Sequence, residues 1–340
     1  MALDMSDKFL PPVVIVGSER SGTNLLRALL STHSKIASPP PAGFIDALGG
    51  IQFRYFPSGR PARLSELIDD VVALTKTHLN PWDIHLDSEA IKTKLKKASL
   101  WDVFRVVNES YAKEYGRPCW CSKEPGLFNH ISEIAEYLPD AKFVYLVRDG
   151  RDVALSLLRG HLHAFHVYFA AEYWASTQRS CLNALADPAH SAKIHLLKYE
   201  NLIANPGDVV KDLMRFIGLE FETAQLEFYR DEKVLDHSKR SRFWKNLGRP
   251  INGQNKGMYK DYLGFKNIEI FESVAWAEMK ALGYPLVTSD RRLFTNFDIR
   301  LYRAIAFLRR TLWSMDPRAE GVKIRARVKA TRKIINRVMA

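Results

Sequence analysis

Cysteine is scarce in this chain: three in 340 residues, an odd number and too few for a disulfide scaffold. That usage fits a reducing compartment and points to a cytoplasmic protein. No run of about 18 apolar residues occurs, so no membrane-spanning helix is expected. Residues Met1 to Leu10 carry charge of both signs and no apolar stretch of leader type, so no secretory signal is expected. Internal repeats and low-complexity tracts are missing, and Pro39-Pro40-Pro41 reads as a rigid loop. No His/Cys/Asp/Glu cluster has metal-ligand spacing. Cys119-x-Cys121 has no second pair to complete a site and, alternating along an apparent strand, reads as packing on one face.

Acidic residues are in the minority, 38 Asp/Glu against 50 Lys/Arg, giving a formal net charge of +12. The imbalance is local. Residues 286–340 hold 14 Lys/Arg against 4 Asp/Glu, a net of +10, so the first 285 residues are near neutral. This tail carries two helical patterns. Leu301, Ile305, Leu308 and Leu312 form one stripe beside Tyr302 and Trp313, flanked by Arg300, Arg303, Arg309 and Arg310. After Asp316-Pro317, a second stripe of Ile324, Val328, Ile335 and Val338 is interleaved with Arg325, Arg327, Lys329, Arg332, Lys333 and Arg337. Basic amphipathic helices lie on anionic membrane surfaces, bind acidic glycans, dock on another subunit, or pack on their own domain with a solvated basic face. Nucleic acid is disfavoured, since no recognised binding module accompanies the charge.

With 46% hydrophobic residues the chain can bury a sizeable core. The pattern predicts strand 12–17, helix 22–33, short strand 35–38 and a helical insertion over about 62–116. Strand 118–122, helix 129–137, strand 142–147, helix 150–159 and a long helix 166–186 follow. Strand 193–198 and helices 206–217, 222–230 and 267–282 complete this part. Alternation of this kind implies an α/β fold with a parallel sheet covered on both faces and ligands at the carboxyl ends of its strands. Arg20, Lys123, Arg148 and Tyr199 all fall just past predicted strand ends.

The first of those ends is the most informative. Val13-Val14-Ile15-Val16 stops at Gly17, a small-residue turn carries Arg20, and helical periodicity (Leu25, Leu26, Leu29, Leu30) begins at once. Free N–H groups and the positive end of the helix dipole then converge on one anion position. The Gly17-to-Gly22 spacing is that of Walker A. However, Thr23-Asn24 stands where Lys-Ser/Thr should follow, which removes most of the case for an ATPase or kinase. At the second tip, Lys142 to Val147 leads into Arg148-Asp149-Gly150-Arg151-Asp152, with Ser156 two turns into the next helix. A strand-end Arg and an inward hydroxyl can grip one dianionic phosphate from two sides. The bland alternative is a helix capped by Asp149 with Arg148 and Arg151 in surface ion pairs.

The first loop resembles the 5′-phosphosulfate loop of the PAPS-dependent sulfotransferases, and Arg148…Ser156 resembles their 3′-phosphate element. Three weaker likenesses follow in the family's order: Ser122-Lys123-Glu124-Pro125; Lys198-Tyr199-Glu200-Asn201-Leu202 with Pro206; and Asn255-Lys256-Gly257-x-x-Lys260-Asp261-Tyr262. Together they cover residues 13 to about 285. The resemblance, closer to the bacterial carbohydrate and tyrosylprotein type than to the cytosolic aryl and steroid type, implies a P-loop-like three-layer fold. Its catalytic domain would span 1–285, with a basic helical C-terminal tail over 286–340. It implies PAPS as co-substrate, no metal, and binding by Arg20, Ser21, Gly22, Thr23, Asn24, Arg148, Ser156, Tyr199, Lys256 and Gly257. Arg20 and Lys123 would stabilise the transferring sulfonate.

The base is where this chain departs from the family's pattern. Relatives acting on carbohydrates or protein tyrosines carry a Glu about 21 or 22 residues after the loop's basic residue; here Pro41 and Ala42 stand there. Asp46 is the nearest carboxylate and is the expected base, with Glu124, His161, His163 and His166 as alternatives. Lys76-Thr77-His78 imitates the Lys-Thr-His of the aryl and steroid enzymes, and its distance from Arg20 fits. It nevertheless ends a helical segment, and Lys76 precedes Arg148 by 72 residues, so His78 is set aside as the base. The resemblance points to sulfonate transfer onto a carbohydrate or glycolipid hydroxyl at the inner membrane face, with a homo-oligomer left open. The competing reading is a non-catalytic nucleotide-binding or membrane-associated scaffold that keeps the fold. The acceptor pocket is expected from residues 42–116 and 160–180.

Overall fold

The structure, a computed structural model, describes residues 9–57, 62–162, 164–315 and 319–339. The five strands found there form one parallel sheet in the order β2-β3-β1-β4-β5. They are β1 (Val13–Val16), β2 (Ile36–Ala37), β3 (Cys119–Ser122), β4 (Lys142–Val147) and β5 (Ile194–Lys198). β1 is central, with Val13 paired to Cys121 on one side and to Lys142 on the other. Every residue of β1 is buried, which suits an uninterrupted β-branched run with helices on both faces.

Strand alternation sorts the core. Val13, Ile15, Cys119, Cys121, Val144 and Leu146 pack on one face, and Val14, Val16, Trp120, Phe143, Tyr145 and Val147 on the other. The two cysteines therefore share one buried face, and both are free thiols. The first face is covered by α1 (Thr23–Ser31), α10 (Pro206–Ile217) and α11 (Glu232–Arg240). The second is covered by the insertion, α3 (Leu64–Thr77), α4 (Ser88–Thr93) and α5 (Leu100–Glu114), and by α6 (Ile131–Tyr137), α7 (Gly150–Gly160), α8 (Val167–Ala186) and α13 (Phe265–Val274).

Some boundaries follow from local chemistry. α10 starts on Pro206 and stops at Gly218, whose φ of 87° ends it in the left-handed region. α7 starts where the Asp149 side chain accepts the Arg151 N–H. The helix expected over 222–230 is instead two 3-10 turns, and α11 starts only after Asp231, which caps the Val234 N–H. The helix expected over 267–282 is broken at Ala275 into α13 and α14 (Trp276–Ala281). Three short helices were not anticipated: α2 (Phe44–Leu48), α9 (Tyr199–Ala204) and α12 (Tyr259–Tyr262).

The tail forms α15 (Asn296–Ser314) and α16 (Ala319–Met339). The two pack on the rest of the chain differently. α15 docks through Tyr302, whose ring stacks on His166 at 4.2 Å, and through Trp313, which stacks on His161 at 6.2 Å. Its Phe297, Leu301, Leu308, Leu312 and Met315 stay exposed on one helical face. α16 lies across α2 and α3: Arg337 pairs with Asp70, Arg63 Nη1 donates to the Val338 carbonyl at 3.3 Å, and Val338 is buried. Among the described residues no helix is long and apolar enough to cross a membrane.

Candidate active site

The chain reverses around β1, and the crevice this leaves at the carboxyl ends of the strands is where parallel sheets bind ligands. β1 runs into Gly17 at φ 143°, where an added Cβ would stand 2.2 Å from the Leu146 carbonyl oxygen of β4. The loop then closes on itself: the Ser18 and Ser21 hydroxyls lie 2.6 Å apart and Ser21 N–H donates to Ser18 O at 3.3 Å. Ser21 is thereby buried as part of the loop's frame and lines neither cavity described below. Gly22, at φ 96°, starts α1 with no side-chain cap, leaving the first N–H groups of that helix for a ligand.

Arg20 joins the two strand tips. Its backbone is left-handed, at φ 68°. Its Nε donates to Ser156 Oγ at 3.0 Å, and its carbonyl accepts from Arg148 Nη1 at 3.0 Å. Burial lowers its pKa, with Glu19 opposing and the cations Arg148 and Arg242 assisting. Arg148 is itself buried. Its guanidinium lies over the Tyr199 ring at 4.7 Å, its Nη2 donates to the Asn255 carbonyl, and its Nε has no hydrogen-bond partner. Tyr199 in turn packs so tightly on the loop that a Cβ at Gly22 would be 2.6 Å from its ring.

Asp149 caps α7 as the bland reading has it, but Arg151 is buried, bonded to Asp149 and Glu272, and not a surface ion pair. Asp152 fixes the late loop by accepting the N–H groups of Gly257 at 2.7 Å and Tyr259 at 2.9 Å. Lys256, in contrast, is exposed and lines neither cavity, whereas its neighbours Asn255 and Met258 line the first.

Two cavities adjoin at Arg20. The first, about 360 Å³, is lined by Arg20, Gly22, Thr23, Asn24, Arg148, Ser156 and Tyr199, with Phe243, Trp244 and Asn255 opposite. The second, about 550 Å³, shares Arg20, Thr23, Asn24, Phe243 and Trp244 and adds Glu19, Asp46, His78 and Lys123. Its remaining wall is α16, through Arg327, Val328, Thr331, Arg332, Ile335 and Asn336.

Lys123 follows β3 and is buried. Desolvation lowers its pKa, while Glu19 and Glu124 raise it. Glu124 accepts the N–H groups of Ala42 and Gly43 at 2.5 Å each, so both its oxygens serve the Pro41–Gly43 bend. Burial still pushes its pKa up to about 7. Asp46, in the first turn of α2, is exposed to the second cavity. His161 and His166 line neither cavity; they receive α15, and His166 also caps α8. Burial drops the His166 pKa to about 4. His163 lies outside the described residues.

Three residues of the second cavity, Glu19, His78 and Arg327, were not among the expected site residues, His78 having been set aside as the base. Glu19 is adjacent to Arg20, so its position in the loop was a usable signal. His78 does end a helix, α3, but that end reaches the cavity, while Lys76 turns away to the carbonyls of Trp82 and Ile84. Burial and the cations Arg327 and Lys123 hold the His78 pKa well below its usual value. The Asn80 N–H donates to its Nδ1 at 3.2 Å, so the neutral ring carries its proton on Nε2 and offers a donor rather than a base. Arg327 had no local signal at all.

The strand tips thus frame a basic cleft around Arg20 and Arg148 that can hold an anion and adjoins a second cavity. The sequence pattern of the Sulfotransferase family matches residues 11–223. An uncharacterised protein of Aquifex aeolicus (strain VF5) is 24% identical over 76% of this chain and 33% of its own length. A protein-tyrosine sulfotransferase of Drosophila melanogaster is 24% identical over 72% of this chain and 46% of its own length. The chain thus spans a third to a half of those relatives. Among solved structures, the sulfotransferase domain from the Synechococcus PCC 7002 olefin synthase superposes with a TM-score of 0.47 at 21% identity, covering 79% of this chain and 96% of that one. With the family pattern matching well over half of its length, this chain belongs to the sulfotransferase family.

Proposed function

We propose that this protein is an enzyme that moves the sulfonate of PAPS (3′-phosphoadenosine 5′-phosphosulfate) onto a hydroxyl of a carbohydrate or glycolipid. The observation that carries the reading is the Arg148-to-Arg20 hydrogen bond, which brings two phosphate-type grips to one cleft. The residues fit such a nucleotide. The Arg148 Nε is buried without a partner, and α1 begins uncapped on the same cavity. Arg20 with the N–H groups of Gly22, Thr23 and Asn24 would hold the 5′ end. Arg148 and Ser156 would hold the 3′-phosphate, with the late loop that Asp152 fixes through the Gly257 N–H standing beside it at Asn255. Tyr199 would flank the adenosine.

When bound, PAPS supplies an activated sulfonate on a phosphate leaving group. Arg20 and Lys123 hold positive charge fixed where negative charge grows on the departing oxygen, so no reorganisation is needed as the bond breaks. His78 Nε2 adds a neutral donor on the acceptor side. Asp46 takes the proton of the acceptor hydroxyl: it lines the second cavity, which Glu124 does not. Ser21 shapes the loop, and Lys256 stands at the rim.

Contact with an anionic membrane is supported by α15, whose exposed apolar face is flanked at helical spacing by Arg300 and Arg309. The apolar edge of α16 faces the second cavity and the domain instead. Calorimetric titration with the product nucleotide PAP tests the cleft, and transfer of labelled sulfonate from PAPS to lipid and polysaccharide extracts tests the activity. Tight PAP binding with no incorporation would favour the non-catalytic scaffold.

A further inference from the structure

We propose that Arg327 of the C-terminal helix is the anion-binding residue of the acceptor cavity, so that the acceptor carries a phosphate, sulfate or carboxylate beside the hydroxyl it offers. The proposal rests on the reading of the second cavity as the acceptor site.

α16 is held in place from its far end. Arg337 bonds both carboxylate oxygens of the buried Asp70, which also accepts from the Tyr55 hydroxyl at 2.6 Å. Ten residues earlier, about 15 Å along the helix, Arg327 reaches the bend before α2. Its Nη2 lies so close to Gly43 that a Cβ there would be 2.0 Å away, and this room exists only because residue 43 is glycine. The Nη2 contact with the Ala42 carbonyl, at 3.4 Å, is long and to a neutral acceptor, and the carboxylates that offset the burial of this guanidinium, Glu124, Glu19 and Asp46, act on it through space.

The cavity's charge is asymmetric. Arg20, Lys123, Arg327 and Arg332 line it against Glu19 and Asp46. Arg20 borders the nucleotide cavity and Lys123 follows the neighbouring strand tip, where the sulfonate would be engaged; Arg327 and Arg332 belong to α16, the added wall. Leu79, Leu162, Val328 and Ile335 add apolar lining beside the polar Thr331 and Asn336. An occupant matching these walls is amphipathic, with an anionic group at Arg327. A fork-shaped guanidinium on a packed helix is suited to two-point recognition of such a group.

The test uses the full chain saturated with PAP, titrated with octyl phosphate and with octyl glucoside. Wild type should bind octyl phosphate at least about 10-fold more tightly, the scale of one charge-assisted contact. Arg327→Ala should abolish that preference and Arg327→Lys should keep most of it, both with PAP affinity near wild type. Equal affinities for the two probes in wild type would overturn the proposal, as would an Arg327→Ala protein that keeps the preference. Parallel loss of PAP and octyl phosphate binding in both variants would also overturn it, since that marks a purely structural role. A wild-type chain that binds no PAP would sink the underlying reading of the cleft instead.

Discussion

Arg148 Nη1 donates to the backbone carbonyl of Arg20 at 3.0 Å, a bond between residues 128 positions apart in sequence. It fixes the loop after β1 to the end of β4 and orients both guanidinium groups into one cleft. Arg148→Ala should therefore do more than delete a charge. It leaves the carbonyls of Arg20 and Asn255 without their donor and uncovers the Tyr199 ring. PAP affinity should fall by roughly 100-fold, the scale of a desolvated charge-assisted contact. A calorimetric Kd unchanged from wild type would remove the site assignment.

Asp46→Asn keeps the shape of α2 and removes the proposed base. Sulfonate transfer should drop by about 100-fold or more, the usual weight of a positioned general base, while PAP binding stays as it was. Glu19→Gln is the matched control on the same cavity: a larger loss there than at Asp46 would move the proton acceptor into the loop itself.

Gly22→Ala and Gly17→Ala test the closeness of the strand tips. At Gly22 the new methyl meets Tyr199, a side chain that can give; at Gly17 it meets the Leu146 carbonyl, which cannot. Both positions have positive φ. Gly17→Ala should destabilise by about 3 kcal/mol and Gly22→Ala by less. Urea unfolding orders the two, and PAP titration should find the Gly22 variant weakened even where it folds.

Glu124 gives a pH signature. Burial raises its folded pKa to about 7, above the unfolded value of about 4.3. Between those two values the folded chain binds more protons than the unfolded one, so this group's contribution falls as pH rises through that window and levels off above it. The shift corresponds to roughly 4 kcal/mol as an upper figure. Chemical denaturation of Glu124→Gln should show a flatter profile between pH 4.5 and 7. A wild-type profile that rises through this window relative to the variant would contradict the assignment.

How much of this was legible in the sequence depends on how local the determinant is. The strand tips were readable because a β-branched run ending in glycine and followed at once by helical periodicity can hardly form anything else. Ser156 was readable because its spacing from Arg148 is set by helix geometry. The true start of α11 was obscured because Glu222 does cap, but only a 3-10 turn, while Asp231 caps the helix itself further on. The break at Ala275 is marked by neither proline nor glycine. The place of α16 could not be read at all: its stripe promised an apolar surface to bury, but Arg327 reaches Ala42 across 285 residues and nothing near it in the chain names that partner.

Arg20 stands at φ 68°, a backbone setting that disfavours every side chain except glycine by about 1 kcal/mol or more. Glycine at this position would relax the turn and free the interior of a desolvated cation. The change should thus leave a hardier fold with an idle cleft. Laboratory selection for heat tolerance alone would favour glycine at this position at the expense of the proposed nucleotide binding.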